Sequence, residues 1–221
     1  MKTLTVTENI IQRLRVDITT GELLPGQKLN EIILRTKLDV SSAPLREAFR
    51  LLEKECLVSN IPRKGCYVSE ISTEDCRQIY TVREMMECFA VDLIKEKKIR
   101  DLSGMEASLE KYSDLYFPEK ADTYEKFEFV KKIFNFHFKL VEAAENSELN
   151  RLYYEMFPKL ARYQYLYMYN YEPALVSEYG GEHKEILNHI EKGDYSPAKR
   201  LLKSHISRFA RFVESRIKMK E

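Results

Sequence analysis

Residues 29–68 read LNEIILRTKLDVSSAPLREAFRLLEKECLVSNIPRKGCYV. Asn30 can cap a helix that ends before Val40, and Ser41 can cap a second helix, because short polar side chains accept hydrogen bonds from first-turn N–H groups. Two short strand patterns follow, on either side of a Pro-Arg-Lys-Gly turn at residues 62–65. Helix, tight turn, helix and a two-stranded wing form a winged helix-turn-helix, in which the second helix enters a DNA major groove.

A further helix precedes this stretch. Thr5 and Glu8 have the spacing of a capping box, and the apolar residues after them recur at helical spacing. Gly21 and the Pro25–Gly26 pair end this helix. We therefore assign residues 1–70 to one DNA-binding domain of three helices and a small β-hairpin wing. Its expected core positions in the two later helices are Ile33, Leu34, Leu38, Leu45, Ala48, Phe49 and Leu52.

Residues 71–221 carry apolar residues at helical spacing and predict a second domain, an all-α antiparallel bundle, so the fold class is mainly α. Its first helix is expected from Ser72 to about Lys98, with Ile79, Val82, Met86, Phe89 and Leu93 as its core stripe. Further helices are expected at about 102–117, 122–145, 147–170, 176–192 and 196–219. Tyrosines alternate from Tyr163 to Tyr171, which is the period of a strand, but the helical spacing upstream favours a helix.

The charge, the cysteine spacing and the apolar runs of the sequence limit the class of protein. The chain has 36 Lys and Arg against 35 Asp and Glu, so its net charge of +1 does not by itself indicate nucleic-acid binding. Its four cysteines lack metal-ligand spacing and are expected to be reduced, mostly buried thiols. The first ten residues lack an apolar signal core, and no run approaches the roughly 18 apolar residues of a membrane span. We expect a soluble, cytoplasmic protein with no membrane partner.

The second helix of the motif carries the residues best suited to contact DNA. Arg46 lies opposite the apolar face and is expected to point outward, where its guanidinium could bind guanine O6 and N7 or a phosphate. The alternative is an ion pair with Glu47 or Glu53 on a solvated surface. First-turn hydroxyl and N–H groups suit phosphates, and the basic turn of the wing would reach the adjacent minor groove or phosphates. The candidates are Ser41, Ser42, Ala43, Arg46, Arg50, Arg63, Lys64 and Gly65.

The segment from Ile10 to Val68 resembles the N-terminal domain of the GntR family of bacterial transcription regulators. The shared motifs are Gly21–Glu31, Leu38–Phe49 and Lys64–Val68. The chain departs from the family at Ser42, which is commonly Arg, and at Cys56, which is usually Gly; Arg35, often small in the family, can supply a compensating contact. The resemblance implies a homodimer on near-palindromic, double-stranded operator DNA, acting as a repressor that its ligand releases.

Three of the four histidines are expected to face inward. His137 lies on the apolar stripe of its helix. His183 and His205 lie about 15 and about 18 Å from the bend at Gly193, on two helices expected to be antiparallel, and so at nearly the same level. Three imidazoles from three helices suit Zn²⁺, Ni²⁺ or another divalent transition metal. A hydrogen-bonded role in the core is the alternative for each.

Residues 72–217 resemble the FCD ligand-binding domain of the FadR-like branch of that family. The matching motifs are Val82-Arg83-Glu84 with Glu87, Phe136-His137 with Asn146, Glu182-His183 with Ile186-Leu187, Gly193-Asp194 with Ala198, and His205. Metal-binding members add an Asp four residues before the first histidine, where this chain has Ile133. The resemblance therefore implies a three-histidine site completed by water or by a carboxylate of the effector, or a site that has lost its metal.

The same resemblance implies a small carboxylate as the effector, with acyl-CoA in a minority of the family. Arg83 matches an Arg that often faces the ligand pocket, and a guanidinium binds a carboxylate bidentately. The alternative is an Arg83–Glu87 pair on a helix surface. Arg162, Tyr163 and Tyr167 are further candidates to line the pocket, although such aromatics are more often core residues.

Two rival functions remain open from the sequence. One is a regulator that senses an acyl chain or acyl-CoA without metal, which Ile133 and the many aromatic residues would suit. The other is a metal-dependent hydrolase, which needs a general base beside the metal. No inward acid is apparent near the histidines in the sequence, so we expect that the protein is not an enzyme.

Overall fold

The computed structural model describes residues 4–110, 122–168 and 173–218 and, within these, the side chains of all but residues 166–168 and 173–178. The helices are α1 (Val6–Thr19), α2 (Glu31–Leu38), α3 (Ser42–Lys54), α4 (Thr73–Lys97), α5 (Ser103–Glu110), α6 (Thr123–Ala143), α7 (Ser147–Met168), α8 (Pro173–Glu191) and α9 (Tyr195–Lys218). The strands are β1 (Lys28–Leu29), β2 (Val58–Ile61) and β3 (Gly65–Val68). The predicted fold class, a winged helix-turn-helix followed by an all-α domain, is confirmed.

The helix starts of the first domain follow the polar residues that the sequence offers. Thr5 and Glu8 form both hydrogen bonds of a capping box on α1. Asn30 accepts hydrogen bonds from the first-turn N–H groups of α2. Ser41 precedes α3 in extended conformation, but its side chain makes no capping hydrogen bond, so the prediction of a side-chain cap there is wrong. Its hydroxyl therefore does not occupy the N–H groups at the start of α3.

The wing contains one strand more than the sequence predicted. The sheet order is β1-β3-β2, and both pairings are antiparallel. Lys28 and Leu29 pair with Tyr67 and Cys66. A two-residue strand carries no periodic pattern, so only the long-range pairing defines it. This pairing fixes the base of the wing against the start of α2.

The core of the first domain contains the buried face of α3, which is Leu45, Ala48, Phe49 and Leu52, as predicted. The prediction for α2 was partly wrong, because Leu34 is buried and Ile33 is 62% exposed. Each residue turns a helix by about 100°, so a helix with Leu34 inward directs the two preceding side chains away from the core. Ile32 and Ile33 therefore both lie on the surface.

The second domain places α4 against α6, α7 and α9. The predicted core stripe of α4 was partly wrong, since Val82 and Phe89 are exposed. The face that is buried includes two charged residues, Arg83 and Glu87. The core stripe of α4 was predicted from apolar residues alone, so Arg83 and Glu87 were left out of it. The predicted buried face is therefore displaced by about one residue from the observed one.

The two domains are in direct contact. Val16 of α1 belongs to the hydrophobic core of the second domain, and α1 packs against both α6 and α7. The stretch from Ser147 to Met168 is helical, as the spacing favoured over a strand. Predictions for residues 111–117 and for Tyr169 and Tyr171 lie outside the described residues.

The four cysteines agree with the expectation of reduced, mostly buried thiols. All four cysteines are free thiols, and Cys56 is exposed while the other three are buried. Burial raises the pKa of the Cys66 and Cys76 thiols to about 12, which leaves them protonated at neutral pH. None of the described helices combines the length and the apolar character that crossing a bilayer requires.

Candidate DNA-reading surface and histidine centre

Arg46 lies on the solvent face of α3. Its side chain is 69% exposed and pairs with Glu31 of α2 at 3.0 Å, so the partner is neither of the two acids on its own helix that the sequence suggested. The Arg46 hydrogen bond holds the pKa of Glu31 below its usual range. The pair links the starts of the two helices of the motif and leaves the rest of the Arg46 guanidinium facing solvent.

The other predicted DNA contacts surround Arg46 at the surface. Arg50 follows one turn later on α3, is exposed, and pairs with Glu47 at 2.5 Å. The remaining candidates at the start of α3, on α2 and on the wing are all exposed or partly exposed, and they are Arg35, Ser41, Ser42, Ala43, Arg63, Lys64 and Gly65. Their role in binding DNA stays a prediction.

Cys56 follows α3 at the position where the family resemblance predicts a glycine. The helix ends at Lys54, and Cys56 adopts a φ of 57°, in the left-handed region. Glycine enters this region without a steric penalty, whereas a residue with a Cβ is strained there. The helix therefore ends where a glycine would have ended it, at some cost in stability.

The three inward histidines meet at one point, which we call the histidine centre. His137 of α6, His183 of α8 and His205 of α9 are all buried. The Nε2 atom of His183 lies 3.1 Å from that of His137 and 3.2 Å from that of His205. Burial lowers the pKa of all three imidazoles, that of His137 to about 4, so they are neutral at pH 7.

This arrangement fits a metal ion. Each histidine offers one nitrogen, and these three atoms lie within 4.8 Å of one another. Two imidazole nitrogens bound to tetrahedral Zn²⁺ lie roughly 3.3 Å apart, given metal–nitrogen distances of about 2.0–2.1 Å. Ile133, one turn before His137, contributes no ligand atom, so the described cluster contains three histidines and no carboxylate.

Two glutamates contact the imidazoles of His137 and His205 on the side that faces away from the histidine centre. The Nδ1 atom of His137 lies 2.8 Å from Glu87 Oε2, and that of His205 lies 2.8 Å from Glu182 Oε2. An Nδ1–H that donates to a carboxylate leaves the lone pair on Nε2, which is the atom directed to the centre. The expectation that no inward acid lies near the histidines was therefore wrong.

Glu87 is the most highly connected of these acids. It is fully buried and accepts hydrogen bonds from Arg83 Nε at 2.6 Å and from the Tyr153 hydroxyl at 2.7 Å. Burial alone would raise the pKa of Glu87, but His137 and Arg83 outweigh burial and hold that pKa below its usual range. The Arg83–Glu87 pair exists, but it lies in the interior rather than on a helix surface.

Arg83 also packs between aromatic rings. Its guanidinium carbon lies 4.8 Å from the centre of the Phe134 ring and 5.6 Å from that of Tyr80. Cation–π contacts of this kind stabilise a charge that water does not reach. Whether Arg83 also binds an effector carboxylate stays a prediction.

Two other effector candidates on α7 contact the linker between the domains, residues 69–72, and the first turn of α4. Arg162 Nη2 donates to the carbonyl of Ser69 at 2.6 Å. The Tyr163 hydroxyl donates to Asp75 at 2.6 Å, and Lys159 donates to the same carboxylate. The backbone of Tyr167 lies in α7, but its side chain lies outside the described residues. The sequence did not predict these linker contacts, because nothing in it pairs α7 with residues 69–75.

The chain combines a winged helix-turn-helix with a helical domain that contains a buried polar centre. This combination defines the class of two-domain DNA-binding regulators. The model of the bacterial regulatory proteins of the gntR family matches residues 6–68, and the FCD domain model matches residues 78–208. The chain therefore belongs to the GntR family and carries an FCD domain, as the resemblance predicted.

Individual relatives agree with this assignment. YdhC of Bacillus subtilis, described as an uncharacterized HTH-type transcriptional regulator, is 33% identical over 141 residues, which are 63% of this chain and 61% of YdhC. The gluconate operon transcriptional repressor of the same species is 28% identical over 163 residues, 72% of this chain and 63% of that protein. In both cases the match spans less than two-thirds of the relative's own length.

Solved structures share the fold over nearly the whole chain. A GntR transcriptional regulator from Rhodococcus sp. RHA1 superposes with a TM-score of 0.73 at 23% identity, covering 94% of this chain and 96% of that one. At this level of identity the likeness extends to the fold alone.

Proposed function

We propose that the protein is a cytoplasmic bacterial transcription regulator, acting as a repressor, that binds double-stranded operator DNA through α3. The observation that carries this proposal is the exposure of Arg46 above a buried apolar face, next to a basic wing. The repressor sign rests on the similarity to the gluconate operon repressor. In vitro selection of DNA by the full chain, followed by footprinting, tests the proposal, and failure to enrich any sequence would contradict it.

We further propose that the FCD domain binds Zn²⁺ or Ni²⁺ at the histidine centre and a small carboxylate as effector. Neutral imidazole nitrogens favour such metals over Ca²⁺ or Mg²⁺, which prefer oxygen ligands. A bound metal would supply a Lewis-acidic centre that attracts a carboxylate. Glu87 and Glu182 hold the imidazoles of His137 and His205 in the ligating tautomer. Among the described residues no carboxylate joins the three histidines, so an anionic effector can provide one.

Effector binding is proposed to reach the DNA-binding domain through α7 and the linker. Tyr153, near the start of α7, is hydrogen-bonded to Glu87, which in turn holds His137. Arg162, further along the same helix, holds the Ser69 carbonyl of the linker. A change at the histidine centre that moves Glu87 would therefore act on a helix that contacts residues 69–75. This gives a physical route by which a ligand alters the mobility or spacing of two DNA-binding domains.

The protein is proposed to work as a homodimer. Val82, Met85 and Phe89 of α4, together with Leu152 of α7, form an exposed surface that we call the apolar patch. The patch borders a groove of about 650 Å³ that is lined largely by apolar side chains. A protein that binds two half-sites of an operator needs a second copy of its DNA-binding domain, so we propose that a second copy of the chain covers the apolar patch. A two-fold axis would bring the apolar patches of the two copies together.

Sedimentation of the full chain tests the dimer. We expect Phe89→Glu to shift the protein from dimer to monomer at micromolar concentration, while Tyr124→Glu, at an exposed aromatic residue outside the apolar patch, leaves the dimer intact. A wild-type protein that sediments as a monomer would contradict the dimer, as would a dimer that Phe89→Glu does not weaken.

The hydrolase alternative is not favoured by the geometry. Glu87 and Glu182 lie on the Nδ1 side of the histidines, bonded to the imidazoles, whereas a general base must lie on the side of the metal-bound water. The relatives described above are regulators. The acyl-chain alternative is addressed by mass spectrometry of copurified ligand, which would reveal a long-chain acyl group instead of a small acid.

A further inference from the structure

Ile32, at the start of α2, is the most exposed large apolar side chain in the described part of the chain, at 74%. Ile33 beside it is also exposed. Scattered exposed apolar residues are common on proteins and need no explanation by themselves. The surroundings of Ile32 are what distinguish it.

Ile32 lies in a concavity of about 550 Å³ on the surface that carries Arg46. We call it the reading concavity; its wall includes Lys28, Ile32, Arg46, Arg50 and Gly65 of the wing. Glu31, the residue before Ile32, pairs with Arg46 at 3.0 Å, so the start of α2 lies beside α3. Ile33 is not among the residues that line this concavity.

The charges around Ile32 decide what can cover it. Three cationic side chains, Lys28, Arg46 and Arg50, share the concavity with a single carboxylate, Glu31. A second copy of the chain docked there would bring like charges together, which is unfavourable. Duplex DNA offers the opposite charge in its phosphates and, in the major groove, one apolar group, the C5-methyl of thymine.

We propose that Ile32 is a specificity-determining residue that packs against the C5-methyl group of a thymine, next to the base pair contacted by Arg46. The inference rests on the proposed function, since it requires that α3 enters the major groove. It adds a preference at one position of each half-site that neither Arg46 nor the phosphate contacts supply.

The test removes only the methyl group. An operator is first selected with the full-length wild-type protein, and each thymine of a half-site is then replaced by deoxyuridine, which lacks the C5-methyl. Dissociation constants are measured for the wild type, for Ile32→Ala and for Ile33→Ala, the last being a matched control with the same chemistry outside the concavity.

We expect one thymine per half-site at which deoxyuridine weakens binding by about three- to fivefold, the effect of burying one methyl group. Ile33→Ala should keep this sensitivity, and Ile32→Ala should lose it. A second variant, Ile32→Arg, should change the selected base at the same position from thymine to guanine, because a guanidinium matches guanine O6 and N7.

Two results would overturn the inference, and they differ in whether they also contradict the proposed function. An operator whose deoxyuridine sensitivity is the same in wild type and Ile32→Ala, or that has no sensitive thymine, overturns this inference and leaves the proposed function standing. A selection that enriches no sequence at all overturns the proposed function and this inference with it.

Discussion

The DNA-reading surface and the histidine centre both depend on an arginine paired with a glutamate, in opposite surroundings. The side chain of Arg46 is 69% exposed in its pair with Glu31, whereas that of Arg83 is 3% exposed in its pair with Glu87. Surface ion pairs contribute about 0–1 kcal/mol, so Arg46 can exchange its partner for DNA at little cost. Breaking a buried pair leaves an uncompensated charge in the interior and costs about 3–5 kcal/mol. The first pair suits binding, and the second holds the structure in place.

The largest expected effect comes from breaking the buried pair. Glu87→Ala leaves Arg83 without its carboxylate and removes the acceptor for His137 and Tyr153, so we expect the free energy of unfolding to fall by about 3–5 kcal/mol. Glu31→Ala, which removes the exposed pair, should change it by less than about 1 kcal/mol. Chemical denaturation of both variants measures the contrast. Equal losses in the two variants would remove the distinction between the pairs.

Arg46→Ala should act on binding and leave the fold intact. We expect specific operator affinity to fall about thirtyfold or more, since each of two half-sites loses a guanidinium contact worth about 1–3 kcal/mol. Thermal unfolding should be unchanged. Arg151→Ala, which removes an exposed and paired arginine on α7, is the matched control and should bind like the wild type. A gel shift with unchanged specific affinity for Arg46→Ala would refute its role.

His183→Ala tests the role of the buried histidine centre in metal binding. Removing one of three ligands should lower metal affinity by at least about tenfold, judging from the 10–100-fold losses seen when only supporting residues of metal sites are changed. His189→Ala, at the one histidine outside the centre, is the control. Elemental analysis after dialysis against a fixed free metal concentration measures the difference. Equal metal content in wild type and His183→Ala would count against the site.

Arg162→Met gives the smallest expected effect. Methionine has an unbranched, apolar side chain that fills much of the space of the arginine side chain, but it cannot donate the hydrogen bond to the Ser69 carbonyl. The bond is only partly buried, so we take the lower end of the range for charged groups, about 1.5 kcal/mol. We therefore expect hydrogen exchange at residues 69–73 to accelerate by roughly tenfold. Exchange in α8 should not change. Identical exchange at the linker would show that α7 does not hold it.

The same contrast explains which parts of the molecule the sequence could predict. The exposed Arg46 and the buried Leu45 and Phe49 follow from the helical period alone, because position on one helix decides whether such residues face water. The inward direction of His137 follows in the same way. Strand β1 does not, because two residues have no period and need a partner from elsewhere in the chain.

Buried polar residues could not be assigned from the pattern. Arg83 and Glu87 were left out of the core of α4 because a charged residue is buried only when partners satisfy it, and those partners, His137 and Tyr153, come from α6 and α7. Treating Phe89 as core instead concealed the apolar patch. A helix of eight residues such as α2 has few positions that define its buried face, so Ile33 was wrongly placed in the core.

Methylation interference on the selected operator tests most directly whether α3 enters the major groove. Guanine N7 lies in that groove, and adenine N3 lies in the minor groove. We expect N7 methylation of one or two guanines in each half-site to block binding by the wild type, at positions about one helical turn apart or a multiple of it. Interference confined to adenine N3, or none at either site, would contradict a recognition helix that carries Arg46 to the bases.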